Sequence, residues 1–205
     1  MEVLYSLVEG VLAQTTKTAN MIDRKHFFDT LKKSLVNSFT ASQLEGFNSI
    51  LDEYDSKPFD KRYLAYMLGT VYHETAKTMQ PIAEYGKGKG KPYGKMIKMN
   101  GKMYDFPIQL YYGRGFVQLT WYENYVKAGK KLGIDLLNNP DLALTMNVAV
   151  KILFQGMLQG WFTGRKLSDY IGSKTDYVGA RKIINGTDKA SLIASYANAF
   201  FVAIG

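Results

Sequence analysis

The sequence predicts a mainly α fold: a helical domain, two-lobed around a cleft, with one small β-hairpin beside it. Two observations predict it. Apolar residues recur at i, i+3, i+4 and i+7 in segment after segment, the spacing of a helix with one buried face. The one strong hairpin-turn signal is Asn100-Gly101. At 205 residues, with 46% hydrophobic and 21% charged content, the chain can bury roughly 70% of its unfolded surface in one core.

Residues 3–13 place Val3, Leu4, Leu7, Val8, Val11 and Leu12 on one side of a short amphipathic helix, and polar Thr15 to Asn20 reads as a linker. We therefore set residues 1–22 apart from the main domain at 23–205. Phe27, Phe28, Leu31, Leu35 and Val36 form the next helical stripe. The one after it carries Leu44, Phe47, Ile50, Leu51 and Tyr54. Either Thr40 with Gln43 or Ser42 with Glu45 has the spacing to cap that helix.

Asp60 is placed to cap a further helix, along which Leu64, Met67, Leu68 and Val71 form one face. Continuing that face brings Glu74. A carboxyl group on the core side of a helix is partly desolvated, which favours its neutral, proton-donating form and suits a general acid. Pro81 bars further helix, and Glu84 follows in an irregular segment, so two carboxylates can face one cleft. A plainer account of Glu74 is an ion pair with Lys77, three residues on.

Residues 86–102 hold six lysines, five glycines and no acid. They read as a flexible loop at 86–94 followed by a two-stranded ribbon near 96–105. Glycines flank Arg114, and Thr120 with Glu123 has capping-box spacing ahead of another helix. Asn139-Pro140-Asp141 starts a helix through Leu153, residues 177–184 are expected to be helical, and Leu192, Tyr196 and Phe200 line up on the last helix.

The composition excludes some chemistry. There are no cysteines, hence no disulfide and no thiolate. His73-Glu74 opens like a zinc-binding H-E-x-x-H, but Lys77 stands at the second histidine, so no metal and no cofactor are expected. A net charge of +8 favours polyanionic partners. No basic region precedes the first apolar residues, so no signal peptide is expected and synthesis in a cytosol is. A monomer is expected.

The series His73-Glu74-Thr75, Glu84, then Tyr111-Tyr112-Gly113-Arg114-Gly115 with Gln118-Leu119-Thr120, then Glu123-Asn124-Tyr125 and Ile184-Asn185-Gly186 resembles glycoside hydrolase family 19. That family holds chitinases and related bacteriophage lysozymes. The resemblance implies a lysozyme-like α+β fold, Glu74 as general acid, Glu84 as the base that activates water, and Thr120 helping to hold that water. It further implies that Tyr111, Gln118, Asn124 and Asn185 contact substrate or shape its site, and that Arg114 supports the site by orienting Glu84. The chain departs from the family where two glycines commonly follow His-Glu-Thr, having Ala76-Lys77, and where a second glycine follows Asn-Gly, having Thr187.

These departures turn the expected substrate from chitin toward peptidoglycan. The expected activity is a muramidase cutting the β-1,4 bond between N-acetylmuramic acid and N-acetylglucosamine, in phage lysis or wall penetration. The enzyme would act at the bacterial wall or ride in the virion. Inverting glycosidases space their carboxyl groups about 6.5–9.5 Å apart to admit the water. Ten of the fifteen tyrosines fall between residues 63 and 125, a supply of apolar faces with polar edges for a sugar groove. Lys87, Lys89, Lys91 and Lys95 would draw an anionic wall or outer-membrane surface. The competing expectations are a chitinase, a non-catalytic virion or wall-binding protein docked through residues 1–22, and a nucleic-acid binder. No nucleic-acid motif accompanies the basic loop, and no nucleic acid is expected as partner.

Overall fold

A computed structural model describes residues 21–106 and 108–205. Among these, six α-helices run in the order α1 (Arg24–Ser34), α2 (Ala41–Ser56), α3 (Lys61–Glu74), α4 (Tyr122–Leu132), α5 (Met146–Gln159) and α6 (Ala190–Ile204). One two-stranded antiparallel sheet joins β1 (Ile82–Ala83) to β2 (Arg114–Gly115). The fold is the mainly helical one the sequence predicts. The proposed helix at 3–13 and linker at 15–20 lie outside the described residues. Ile22, set at the edge of the N-terminal segment, is buried in the core, and its N–H donates to the Asp55 carboxylate.

α3 is the centre of the molecule. The Asp60 carboxylate accepts the Arg62 N–H and starts it. From Leu64 to Tyr72 every residue is buried, so the helix is enclosed on all sides rather than amphipathic. α6 packs along it. At their closest approach a Cβ on Gly69 would lie 2.9 Å from the Ala197 nitrogen and 3.1 Å from the Ile193 carbonyl oxygen. α6 turns Ile193, Ala197, Phe200 and Ile204 inward, whereas Leu192 and Phe201 are exposed. α2 begins with the Thr40 and Gln43 capping box, each side chain accepting the other's backbone N–H. An aromatic cluster of Phe27, Phe28, Phe39, Phe47 and Phe200 fastens α1 and α2 to α6.

Several local expectations change. The ribbon near 96–105 is reduced to a single bridge, Ile97 to Met103, around the Asn100-Gly101 turn. The sheet forms instead where β1, leading into Glu84, meets the Arg114 segment. Residues 86–94 are a succession of turns closed by Lys87, Lys89, Lys91 and Gly94 N–H groups, not a free loop. Gly88 and Gly94 touch there, and a Cβ on Gly94 would meet the Gly88 oxygen at 1.8 Å. The helix begun by Asn139-Pro140 divides into a 3-10 turn, Pro140–Leu144, and α5. Residues 179–183 are also 3-10 helix.

Gly69→Val places branched carbons against the backbone of α6 and is expected to cost about 1–3 kcal/mol by overpacking. Urea unfolding monitored by circular dichroism reads this directly, as a fall in the midpoint at unchanged slope.

Candidate active site

One cavity of about 520 Å³ is lined by both predicted carboxylates, Glu74 and Glu84, and by Gln118, Thr120, Asn124 and Asn185. Tyr93, Trp121, Phe162 and Ile184 supply apolar surface to the same walls. Six predicted residues far apart in sequence thus meet in one place.

Glu74 is the last residue of α3. The helix stops there because the chain folds back through a tight turn. The Thr75 hydroxyl donates to the Val71 carbonyl and accepts the Met79 N–H, while the Lys77 N–H reaches the Tyr72 carbonyl. Ala76, Lys77 and Met79 all have positive φ, at 49°, 70° and 56°. So Ala76-Lys77, standing where the family commonly has two glycines, keeps the left-handed backbone that glycine adopts freely, at a steric cost to each side chain. α2 backs this turn at Gly46, where a Cβ would lie 1.8 Å from the Met79 oxygen.

The partner of Glu74 is Arg181, whose Nη1 donates to Oε1 at 2.5 Å. The two side chains are 4% and 16% exposed, so the pair is largely withdrawn from water. The sequence reading missed Arg181. Lys77, the alternative it offered, points its ammonium over the Tyr72 ring, 5.7 Å from the centroid. A second Arg181 nitrogen, Nε, donates to the Asp188 carbonyl and fixes the guanidinium plane. Two buried hydroxyls, Thr70 and Tyr66, lie one and two turns before Glu74 on the same row of α3 and have no hydrogen-bond partner among the described residues. Next to Glu74, burial lowers the His73 imidazole below its ordinary value.

Glu84 follows β1 and is tied to the Gly113 segment in both directions. Its own N–H donates to the Gly113 carbonyl at 2.7 Å, and the Gly113 N–H donates to Oε2 at 3.1 Å. Its other carboxylate oxygen accepts the Tyr93 hydroxyl at 2.8 Å. Burial, then the hydrogen bond to Glu84, pushes the Tyr93 hydroxyl up to about 12, so it stays a donor through neutral pH. Tyr93 is a second residue the sequence reading left out; it lay among the lysines of a segment read as flexible. Gly113 is required by contact: a Cβ there would meet the Gln118 amide oxygen at 2.8 Å and the Glu84 Cβ at 3.3 Å.

Arg114 does not orient Glu84. Its donors go to Asp141, to the Leu110 and Tyr112 carbonyls and to the Tyr125 hydroxyl, and its guanidinium lies 3.6 Å from the centre of the Tyr112 ring. It supports the Gly113 segment from behind. Tyr111 is likewise behind the wall, buried with its hydroxyl on the Leu137 carbonyl. Gln118 lines the cavity while its amide pins the Ile82 and Gly115 carbonyls. Thr120 does not cap α4. Trp121 holds the cap position at φ 73°, anchored by its N–H on the Tyr111 carbonyl. Glu123 turns away to accept the Met99 N–H at 2.8 Å. Thr120 is thereby left on the cavity wall, its carbonyl bonded to the Asn124 amide. Among the described residues no group of His, Asp and Glu is arranged to hold a metal ion.

Two carboxyl groups on one cavity, each fixed by a different set of donors and flanked by amides and aromatic rings, form the kind of site that cleaves a glycosidic bond with one acid and one base. A family model described as chitinase class I matches residues 12–178. The chain belongs to glycoside hydrolase family 19. The match opens within the N-terminal segment set apart at 1–22. Endochitinase CH5B of Phaseolus vulgaris is 36% identical over 115 residues, covering 51% of this chain and 33% of that protein. Inactive chitinase-like protein 1 of Hevea brasiliensis is 49% identical over 57 residues, 28% of this chain and 17% of its own. The chain thus spans about a third or less of the length of these curated relatives. Among solved structures, chitinase C from Streptomyces griseus HUT6037 superposes with a TM-score of 0.60 at 25% identity, over 88% of this chain and 90% of that one.

Tyr93→Phe removes a donor from Glu84 without disturbing the turn that holds it. Turnover is expected to fall roughly ten- to a hundredfold, the worth of one hydrogen bond to a charged group, with an unchanged circular dichroism spectrum. Ala76→Gly and Lys77→Gly are each expected to raise stability by about 0.5–1 kcal/mol, relief of left-handed strain outweighing the added unfolded-state entropy. A thermal melt of each single variant checks the sign.

Proposed function

We propose that this chain hydrolyses β-1,4 bonds of N-acetylglucosamine-containing polymers by single displacement. The observation that carries the proposal is the meeting of Glu74 and Glu84 on one cavity, with their separate supports. Glu74 gives its proton to the glycosidic oxygen, and the Arg181 guanidinium then compensates the carboxylate left behind. Glu84, steadied by the Tyr93 hydroxyl and the Gly113 N–H, takes a proton from the water that attacks the anomeric carbon. Thr120, on the same wall, helps to hold that water, the role carried over from the family.

The finer reading is a muramidase acting on peptidoglycan, in lysis or wall penetration by a bacteriophage. Six lysines in the segment whose Tyr93 and Met99 line the cavity favour a polymer that bears carboxylates, as peptidoglycan does through its peptide groups, over uncharged chitin. The names of the relatives favour a second reading, chitin itself. Digestion of peptide-bearing peptidoglycan and of chitin oligosaccharides, with fragments analysed by mass spectrometry, separates the two. New reducing-end N-acetylmuramic acid is the expected product. Cleavage of chitin oligosaccharides with intact peptidoglycan would overturn the muramidase reading and leave the family chemistry standing. Binding without any fragments would make the protein a wall-binding one.

Glu74→Gln is expected to fold normally and to lose turnover by on the order of 10²-fold or more. Lysis equal to that of the unaltered protein would remove Glu74 from the mechanism.

A further inference from the structure

The segment from Tyr85 to Ile108 combines two properties that seldom coincide on a soluble surface. It carries all six lysines of residues 86–102 against a single acid, Asp105. It also displays large apolar side chains to solvent: Tyr85, Met99, Met103, Phe106 and Ile108. Phe106 and Ile108 are each 73% exposed, and their exposure is built in. Tyr104 stacks on Tyr122 with ring centres 5.0 Å apart, and its hydroxyl donates to the Gln109 carbonyl. That contact fixes Tyr104 against Gln109, and Phe106 and Ile108, which fall between the two in sequence, face solvent. Lys98 is held nearby, its ammonium 5.3 Å from the centre of the same Tyr122 ring.

We infer that this lip is an interfacial docking surface for an anionic lipid bilayer. The lysines match the negative headgroups, and the apolar side chains enter the acyl boundary beneath them. A dissolved polyanion would satisfy the lysines and leave Phe106 and Ile108 in water; only an apolar medium under a negative surface uses both. The inference deepens the reading of the lip as a cationic docking edge. It does not depend on the hydrolysis proposed above, because vesicle binding involves no bond cleavage. Tyr93 and Met99, which line the cavity, belong to the same segment, so docking would present the open site along the membrane face.

The test is co-sedimentation of the full chain with phosphatidylcholine vesicles and with mixed phosphatidylcholine–phosphatidylglycerol vesicles. Binding is expected only to the mixed vesicles and is expected to weaken with salt. Lys87→Gln and Lys89→Gln should each lower partition roughly fivefold. The double variant Phe106→Ser/Ile108→Ser should lower it on the order of tenfold or more, with hydrolysis of a soluble oligosaccharide unchanged. Phe106→Trp gives an independent readout, a blue shift of emission relative to the unaltered protein when mixed vesicles are added. Absence of binding to mixed vesicles, or binding indifferent to the double variant with no blue shift, overturns the inference. Equal binding to soluble polyglycerol phosphate, again indifferent to the double variant, would assign the lip to a wall polymer instead.

Discussion

The enclosure of α3 is the constraint on which the rest of the structure depends. A helix buried from Leu64 to Tyr72 is held from every side, and at Gly69 it packs so closely on α6 that no side chain fits between them. Its last residue is therefore delivered to one position. Glu74 emerges at the point where the helix runs out of core. The turn behind it is locked by Thr75 and backed by Gly46, so the carboxylate is fixed from the rear as well as along the axis. Arg181 then meets it from a short 3-10 turn that α6 follows in the chain.

Glu84 is held by other means. No long element carries it; a two-residue strand and a reciprocal pair of hydrogen bonds with Gly113 do, one through its backbone N–H and one through its carboxylate. The Gly113 segment in turn is stiffened by Arg114, which spends its donors on Asp141, backbone carbonyls and Tyr125. The site thus joins a carboxylate on a rigid helix, Glu74, to one mounted on irregular backbone, Glu84. A charged side chain buried behind that backbone performs the task that a helix performs for Glu74.

How much of this was legible in the sequence follows from the range of the interactions. The helical stripes, the Asp60 cap and the Thr40 box are local, and their spacing alone predicts them. The carboxylates were legible because Glu74 continues an apolar face and both sit in a recognisable motif series. Arg181 was not, because its contact with Glu74 spans 107 residues and no local pattern marks it. Thr120 with Glu123 misled for a physical reason: the spacing of a capping box was present, but Trp121 took the cap position and Met99 claimed the carboxylate. The Ala76-Lys77 departure is one of side chain and not of backbone course. The letters change from those common in the family, while the backbone keeps the left-handed course that glycine would take.

The lysine segment reaches the site through the Lys87 N–H on the Glu84 carbonyl, the Tyr93 hydroxyl on the Glu84 carboxylate and the Met99 N–H on Glu123. These make the outer rim and Glu84 one mechanical unit, with the Tyr93 hydroxyl as its lever. A load on the rim is transmitted to the Glu84 carboxylate, whereas Glu74, seated on the enclosed helix, is insulated from it. The two halves of the site therefore differ in compliance, and a change of surroundings at the rim acts on Glu84 before it acts on Glu74.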